Sequence, residues 1–551
     1  MMFQRALSSR LSVWLLEKTV AEPVQGRLLD SVSHPATAQE RILADLIARG
    51  AATAYGQEHG FSEIRCADDF QCAVPVVSYE ELQPYVERAF LGREPDVLWP
   101  GTPSWFVESS GTTGERKRLP VTQDGWSRVY LDTAKTYVIA LNQRLKPRSL
   151  LRGKSIFFPG KVHRAEHDRD VLVGDITALS VHLTPWYLDF ARAPDKATTI
   201  DPDRNWEERL HRIAAATVDQ NIVHLAGLPT WLVHFGRIVL QMSGAATLRQ
   251  VWPNLMAVTL GGVNPGPYLA AIDALIGAGD GDPLVYSEVY NGTEGFYAMQ
   301  IDGGDMVLLP NGGLYYEFVA RNDVVTGNLG AALRLDEVVA GVEYAPVIST
   351  YNGLWRYLIG DTVRFTSTQP YRLHVTGRVS QYLNTAGEEL LVANVDAAMQ
   401  AACDVLGVSL VDYTGAPLQP RSKDALPRHL WVVALAEPYA VDGDAFARAL
   451  DQALISNHFD YAKMRNAGIY GEGAFGLDSP IALLTPPDSF MLWLNQRPAG
   501  GAGGQSKVPR LSQDTRIVAQ VLGILEPEAL ARAFHSYPVL RTDEHLARLE
   551  M

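Results

Sequence analysis

Between Val107 and Pro120 the chain sets Ser109, Ser110, Gly111, Thr112, Thr113 and Gly114 directly before a basic run, Arg116, Lys117 and Arg118. Such a segment suits a loop that wraps a phosphate chain, because glycine lets backbone N–H groups converge on oxygens while Ser and Thr add donors. A Walker A loop needs a glycine directly before Lys-Ser/Thr, and here Glu115 and Arg116 separate Gly114 from Lys117. Phosphate binding is therefore expected and kinase-type transfer does not follow. Read alone, the composition also suits a polar surface loop. Other spacings lead nowhere. His163 and His167 stand four apart, but Glu166 is not in the zinc-protease order and no third ligand is evident. The glycines of residues 277–281 follow a helix-like run and lack the strand–glycine–helix order of a dinucleotide loop, so they are expected to stop that helix.

A phosphate loop must be held by elements, and the patterning supplies them. Thr37 and Glu40 have capping-box spacing, followed by Ile42, Leu43, Leu46 and Ile47 at helical intervals and by Gly50, which predicts a helix. Short apolar runs at 155–158, 222–225, 255–260 and 284–290 each end in turn residues and alternate with helical patterns, the signature of an α/β fold with ligands at strand ends. Beyond residue 305 strand signals become denser (306–309, 314–319, 346–350), which predicts a β-rich subdomain. After Gly377-Arg378 the pattern resets to helix (392–399), strand (429–435) and helix (445–455), then a glycine-rich stretch at 500–504. A domain boundary is placed there, giving 1–376 and 377–551.

Composition narrows the class. The 551 residues are 47% hydrophobic and 20% charged, ordinary globular usage, and the net charge of −14 disfavours nucleic-acid binding. Cys66, Cys72 and Cys403 form no CxxC pair and leave one over, so no disulfide framework is read and a reducing cytoplasm fits. The apolar stretch 11–16 is cut short by Glu17 and Lys18; an amphipathic helix, not a membrane span, is expected.

Ser109-Ser-Gly-Thr-Thr-Gly-Glu-Arg-Lys117 resembles the phosphate loop of the acyl-adenylate-forming superfamily, which includes luciferases, acyl-CoA ligases and peptide-synthetase adenylation domains. Later segments fall in that superfamily's order: Tyr290-Asn-Gly-Thr-Glu-Gly295, Tyr357-Leu-Ile-Gly-Asp361, Gly377-Arg378 and Gln505-Ser-Lys-Val-Pro-Arg510. Two longer phrases, residues 351–362 and Asn384-Thr-Ala-Gly-Glu-Glu389, are similar to the auxin-responsive (Gretchen Hagen) acyl-acid amido synthetases, in the bacterial style. The similarity runs from about residue 35 to about residue 520. It implies a large N-terminal adenylate-forming domain of α/β layers plus a β-rich subdomain, and a smaller mobile α+β C-terminal domain.

The resemblance also implies roles, each of which makes physical sense. Tyr290 offers a flat ring for an adenine, and Thr293 a donor to an α-phosphate oxygen. Glu294 supplies a carboxylate for Mg²⁺, a hard cation that shares oxygen ligands with phosphates. Asp361 accepts from ribose hydroxyls, and Arg378 contacts the nucleotide at a hinge where Ser380 replaces the Asp or Lys common in the superfamily. Lys507, after a run of small residues, reaches into the cleft and offsets charge that builds at the α-phosphate. The implied activity is that of an ATP- and Mg²⁺-dependent ligase which adenylates a small carboxylic acid and passes the acyl group to an amine, expected to be an amino acid. A thiol acceptor, as in acyl-CoA ligases, and a nucleotide-binding protein without turnover remain the alternatives. The acyl site is expected near residues 225–232 and 261–263. No membrane or nucleic-acid partner is expected, and no oligomeric state is read from the sequence.

Overall fold

The computed structural model describes residues 17–109, 117–184, 189, 191–199, 205–277, 283–419, 426–437, 440–470, 476–496 and 507–537. The expected helix at 11–16 and the glycine stretch 500–504 lie outside them. The first long helix, Pro35–Gly50, buries Ile42, Leu43, Leu46 and Ile47 as its periodicity predicts. It starts earlier than the capping-box spacing suggested. His34 is the cap residue and Pro35 opens the first turn, so Thr37 already lies inside the helix; the preset φ of a proline at that position outweighs the Thr–Glu signal.

The alternating segments form parallel strands Arg192–Ala193, Lys154–Phe157, Ile222–Gly227, Ala257–Gly261 and Val285–Asn291, in that spatial order. Helices Trp206–Thr217, Pro229–Ser243 and Leu269–Ile276 join these strands in one apolar cluster containing Trp206, Trp231, Phe235 and Ile272. Gly277, with φ of 72°, closes the last of them, which is the helix stop expected there. The β-rich region does not form a separate sheet. It continues the same one, antiparallel from Val285–Asn291 through Phe296–Met299, Met306–Leu308, Tyr371–Arg378, Asp361–Thr368, Glu343–Thr350, Leu314–Ala320 and Leu333–Arg334. The change of sequence texture near residue 305 thus follows a switch from parallel to antiparallel pairing, and Tyr290 sits on the strand where it occurs.

A hairpin of Trp105–Ser109 and Lys117–Val121 belongs to a separate four-stranded sheet and pairs Ser109 with Lys117. After Tyr371–Arg378 the chain leaves the large sheet. It builds a three-stranded sheet, Leu410–Leu418, Arg428–Leu435 and Ile481–Thr485, packed with helices Val392–Leu406 and Gly443–Asn457. The result is a mixed α/β chain with a large N-terminal lobe and a smaller C-terminal one. Among the described residues no helix is long and apolar enough to cross a membrane.

Candidate active site

A cavity of about 1030 Å³ opens where the two lobes meet, lined among others by Lys117, Thr293, Glu294, Asp361, Arg378 and Lys507. Four stretches of chain far apart in sequence therefore share one space. The first comes from the turn after Val285–Asn291. Gly292 N–H donates to Gly295 O at 2.8 Å, and Tyr130 Oη donates to Thr293 O at 2.9 Å, so the backbone under Thr293 is fixed. A β-carbon on Gly292 would stand 2.8 Å from Glu294 Oε2, so the bare glycine leaves the carboxylate room at this turn. Tyr297 Oη donates to that same oxygen at 3.2 Å. Enclosure raises the Glu294 carboxyl above its ordinary value, the nearby charge of Asp361 adds to this, and Arg378 opposes it.

Asp361 opens the strand Asp361–Thr368 and pairs in register with Arg378 at the end of the adjacent strand. Its carboxylate accepts from Arg378 Nε at 2.9 Å on one oxygen and from Tyr290 Oη at 3.1 Å on the other. The Asp361 charge, foremost, raises the Arg378 guanidinium; burial, with Asp361 beside it, carries the Tyr290 phenol well above its usual range. The Tyr290 ring is 6% exposed and packs against Tyr297 with centroids 4.6 Å apart. It is thus both a core aromatic and a cavity-lining one.

Lys507 enters from the C-terminal lobe. Gly262, with φ of 84°, makes room for it: a β-carbon there would lie 3.1 Å from Lys507 Cε and 3.3 Å from Nζ. Burial pushes the Lys507 ammonium down to about 8, and the charge of Arg378 adds to this; Asp361 and Glu294 hold it up. A weakly solvated cation facing two carboxylates is suited to meet an anionic group placed between them.

Of the phosphate-loop residues, Ser110, Gly111, Thr112, Thr113 and Gly114 lie outside the described residues, and Ser109 is described only as the backbone end of its strand. Lys117 lines the cavity, with Nζ 3.9 Å from Glu80 and 5.4 Å from the Tyr79 ring centre. Gly262 and Val263 line the cavity as expected of an acyl-binding turn, but Leu225 and Leu232 do not. They border a separate apolar void of about 10 Å³ between strand and helices, because their side chains point to the helix-covered face of the sheet. His163 and His167 take part in no metal cluster among the described residues; His167 Nε2 instead lies 2.9 Å from Phe90 O.

The phrases that narrowed the resemblance are mostly scaffold. Trp355 Nε1 donates to Leu98 O at 3.0 Å, and Asn352 Nδ2 to Tyr130 Oη at 3.1 Å, one bond removed from Thr293. Arg356 forms a buried pair with Glu317, its Nε and Nη2 at 2.9 and 2.8 Å from the carboxylate oxygens. Glu388, at the turn of the hairpin Tyr382–Leu383 and Leu390–Leu391, accepts from the N–H groups of Thr385 and Ala386 and pairs with His429 at 2.8 Å. Asn264, Tyr268, Asp396 and Arg510 also meet at the junction of the lobes, and of these only Arg510 belongs to a spacing legible in the sequence.

Fold and cavity together define a two-lobed mixed α/β protein with a large cleft between its lobes. Models of the GH3 family N-terminal, central and C-terminal domains match residues 24–280, 306–378 and 393–516. The chain belongs to the GH3 family. It is 25% identical to indole-3-acetic acid-amido synthetase GH3.8 of Oryza sativa subsp. indica, over 88% of this chain and 89% of that one. It is 23% identical to the 4-substituted benzoates-glutamate ligase GH3.12 of Arabidopsis thaliana, over 63% and 69%. Its fold superposes on the GH3.15 acyl acid amido synthetase in complex with 2,4-DB with a TM-score of 0.73 at 16% identity, over 94% and 96% of the two chains.

Proposed function

We propose that this chain is an ATP-dependent amido synthetase that activates a small carboxylic acid as its adenylate and joins the acyl group to an amino acid. In the first step an acid oxygen attacks the α-phosphorus of ATP, the bond to the β-phosphate bridging oxygen breaks, and pyrophosphate leaves. In the second the amine nitrogen attacks the acyl carbon, the carbon–oxygen bond to AMP breaks, and the nitrogen releases a proton as AMP departs. The observation that carries this reading is the convergence of Glu294, of the paired Asp361 and Arg378, and of Lys507 from three separate stretches on one cavity.

In this reading Asp361 and Arg378 hold the ribose, Tyr290 presents an edge to the base, and Thr293 with Lys507 faces the α-phosphate. Lys117 and the residues 109–114 before it take the outer phosphates. Lys507 carries its positive charge to where negative charge grows in the first step, and such a pre-aimed donor acts strongly in an enclosed site. Glu294 would hold Mg²⁺, which when bound neutralises phosphate oxygens. A single carboxylate lining the cavity fits an ion that takes its remaining ligands from substrate and water. We place the boundary of the two bodies near residue 377 and their pivot just after Gly377-Arg378, whose strand still belongs to the large sheet, and we read the chain as the bacterial form of the family. A cytoplasmic setting suits its three free cysteines.

The relatives' names span an indole acid, substituted benzoates and 2,4-DB, so the acid is best sought with a panel of these three. Acid-dependent exchange of labelled pyrophosphate into ATP, followed by mass detection of conjugates with amino acids, is the test. Exchange and an amide product are expected. A coenzyme A thioester in place of the amide would reassign the acceptor, and no exchange with any acid would remove the activity.

A further inference from the structure

The residues that join the lobes near Lys507 are polar and unassigned by the reading above, and all but Asn264 are buried. Arg510 follows Lys507 by three positions and is 4% exposed. Its guanidinium donates to the Asp412 carboxylate and to Tyr413 O, both in its own lobe, and to the hydroxyl of Tyr268 in the other lobe. It also lies 4.6 Å from the centre of the Tyr413 ring and 5.6 Å from that of Tyr268. Beside it Asp396, on the helix Val392–Leu406, accepts from Tyr413 Oη at 2.6 Å and lines the same cavity as Asn264 of the large lobe, which holds the Asp396 carboxyl down against its burial.

Three contacts therefore fall on one short segment between Ala257–Gly261 and Leu269–Ile276. Lys507 lies against Gly262, Asp396 meets Asn264, and Arg510 meets Tyr268. The Asn264 carbonyl in turn accepts from Gly266 N–H at 3.0 Å, which fixes the amide's direction. A lysine on its long flexible stem loses considerable rotamer freedom when held at one point, and it is held best when its backbone is anchored close by. The anchor here is a guanidinium whose planar fork uses donors toward both lobes at once.

We propose that Arg510 and Asp396 are positioning residues for the adenylation step. Through Tyr268 and Asn264 they clamp the C-terminal lobe onto residues 262–268, and this sets the Lys507 ammonium in the cavity. The clamp consists of polar contacts between lobes, foremost the Arg510–Tyr268 hydrogen bond, so it opens when the lobes separate and contributes nothing to a step that does not use Lys507. The proposal rests on the adenylation reading, and the experiment separates the two.

Full-length chains carrying Tyr268→Phe, Asn264→Ala and both together, with Arg510→Lys as a second route, are compared with the unsubstituted protein. Acid-dependent pyrophosphate exchange is expected to fall at least about tenfold in the double variant, on the scale of losing hydrogen bonds to a buried charge. Amide formation from separately prepared indole-3-acetyl-adenylate and an amino acid should stay within about twofold of the unsubstituted rate, and melting temperature should hold. Backbone amides of residues 392–399 should lose hydrogen-exchange protection in the nucleotide-free protein. Exchange activity within about twofold of the unsubstituted chain, or an equal fall of both half-reactions, overturns the clamp. If the unsubstituted chain exchanges pyrophosphate with no acid, the functional reading fails, and the amide protection alone then decides whether the clamp exists.

Discussion

The two walls of the cavity are built on different principles. The wall from the large lobe is woven into a long sheet: Thr293 rests on Tyr130, Tyr130 on Asn352, and Asn352 Oδ1 accepts from Thr122 N–H at 3.1 Å, while Asp361 is tied to both Arg378 and Tyr290. The wall from the small lobe, which carries Lys507 beside Asp396, Val508 and Arg510, is set by contacts to residues 262–268. A nucleotide must be bound in one pose, which favours a rigid wall, whereas a charge needed in only one of two steps is better carried on a part that can leave. The family phrases around residues 351–362 serve the rigid wall, and the Lys507–Arg510 spacing serves the movable one.

The sharpest way to break that contrast is to weaken the rigid lobe itself. Arg356→Ala leaves Glu317 buried without its partner and should cost about 3–5 kcal/mol of stability, read from urea unfolding. A loss under about 1 kcal/mol would mean that the large lobe is not held as argued. Lys507→Ala should next slow pyrophosphate exchange by about 10²–10³ while the melting temperature changes little, because the residue belongs to the wall that is not woven in. A decrease below about threefold would contradict its role. Asp361→Asn removes the counter-charge of Arg378 and an acceptor for the nucleotide. Its ATP KM should rise by about 10–100-fold, consistent with charge-assisted hydrogen bonds of about 1.5–3 kcal/mol, and initial-rate kinetics measure it.

The smallest effect is in pH. Burial holds Lys507 at about 8, and the charged form is the useful one. Below that value the ammonium is protonated and kcat/KM for exchange should be flat; above it the rate should fall as the proton is lost. If this limb appeared instead near the ordinary lysine value, Lys507 would be solvated in the free enzyme and the small lobe would rest away from the cavity.

Much of the architecture could be read from local pattern. Apolar periodicity placed the helix Pro35–Gly50, and the runs ending in glycine or asparagine placed the strands on which Tyr290 and Gly262 depend. The helix start was misread because a proline and a Thr–Glu pair compete as signals only two residues apart. That one sheet runs through both regions was not legible, since parallel and antiparallel strands have similar composition and differ in what lies beside them. That Leu225 stays out of the large cavity has a related reason. A strand shows which residues share a face, and only its neighbours show which face is covered by helices.

For this protein the sequence by itself determined the chemistry on offer: a phosphate-type loop, a Thr–Glu turn, an aspartate after a glycine, a lysine after small residues, in an order that belongs to one family. Those are short-range facts, set by residue types and spacing along the chain. Tertiary structure decided which polar groups became partners. Asp361 with Arg378 and Tyr290, Lys507 against Gly262, and Arg510 with Tyr268 bring together residues separated by up to hundreds of positions. Burial then changed what each group can do. A lysine or arginine reads the same on a surface loop as in a closed cleft, and only the surrounding protein removes its water and chooses its counter-charge.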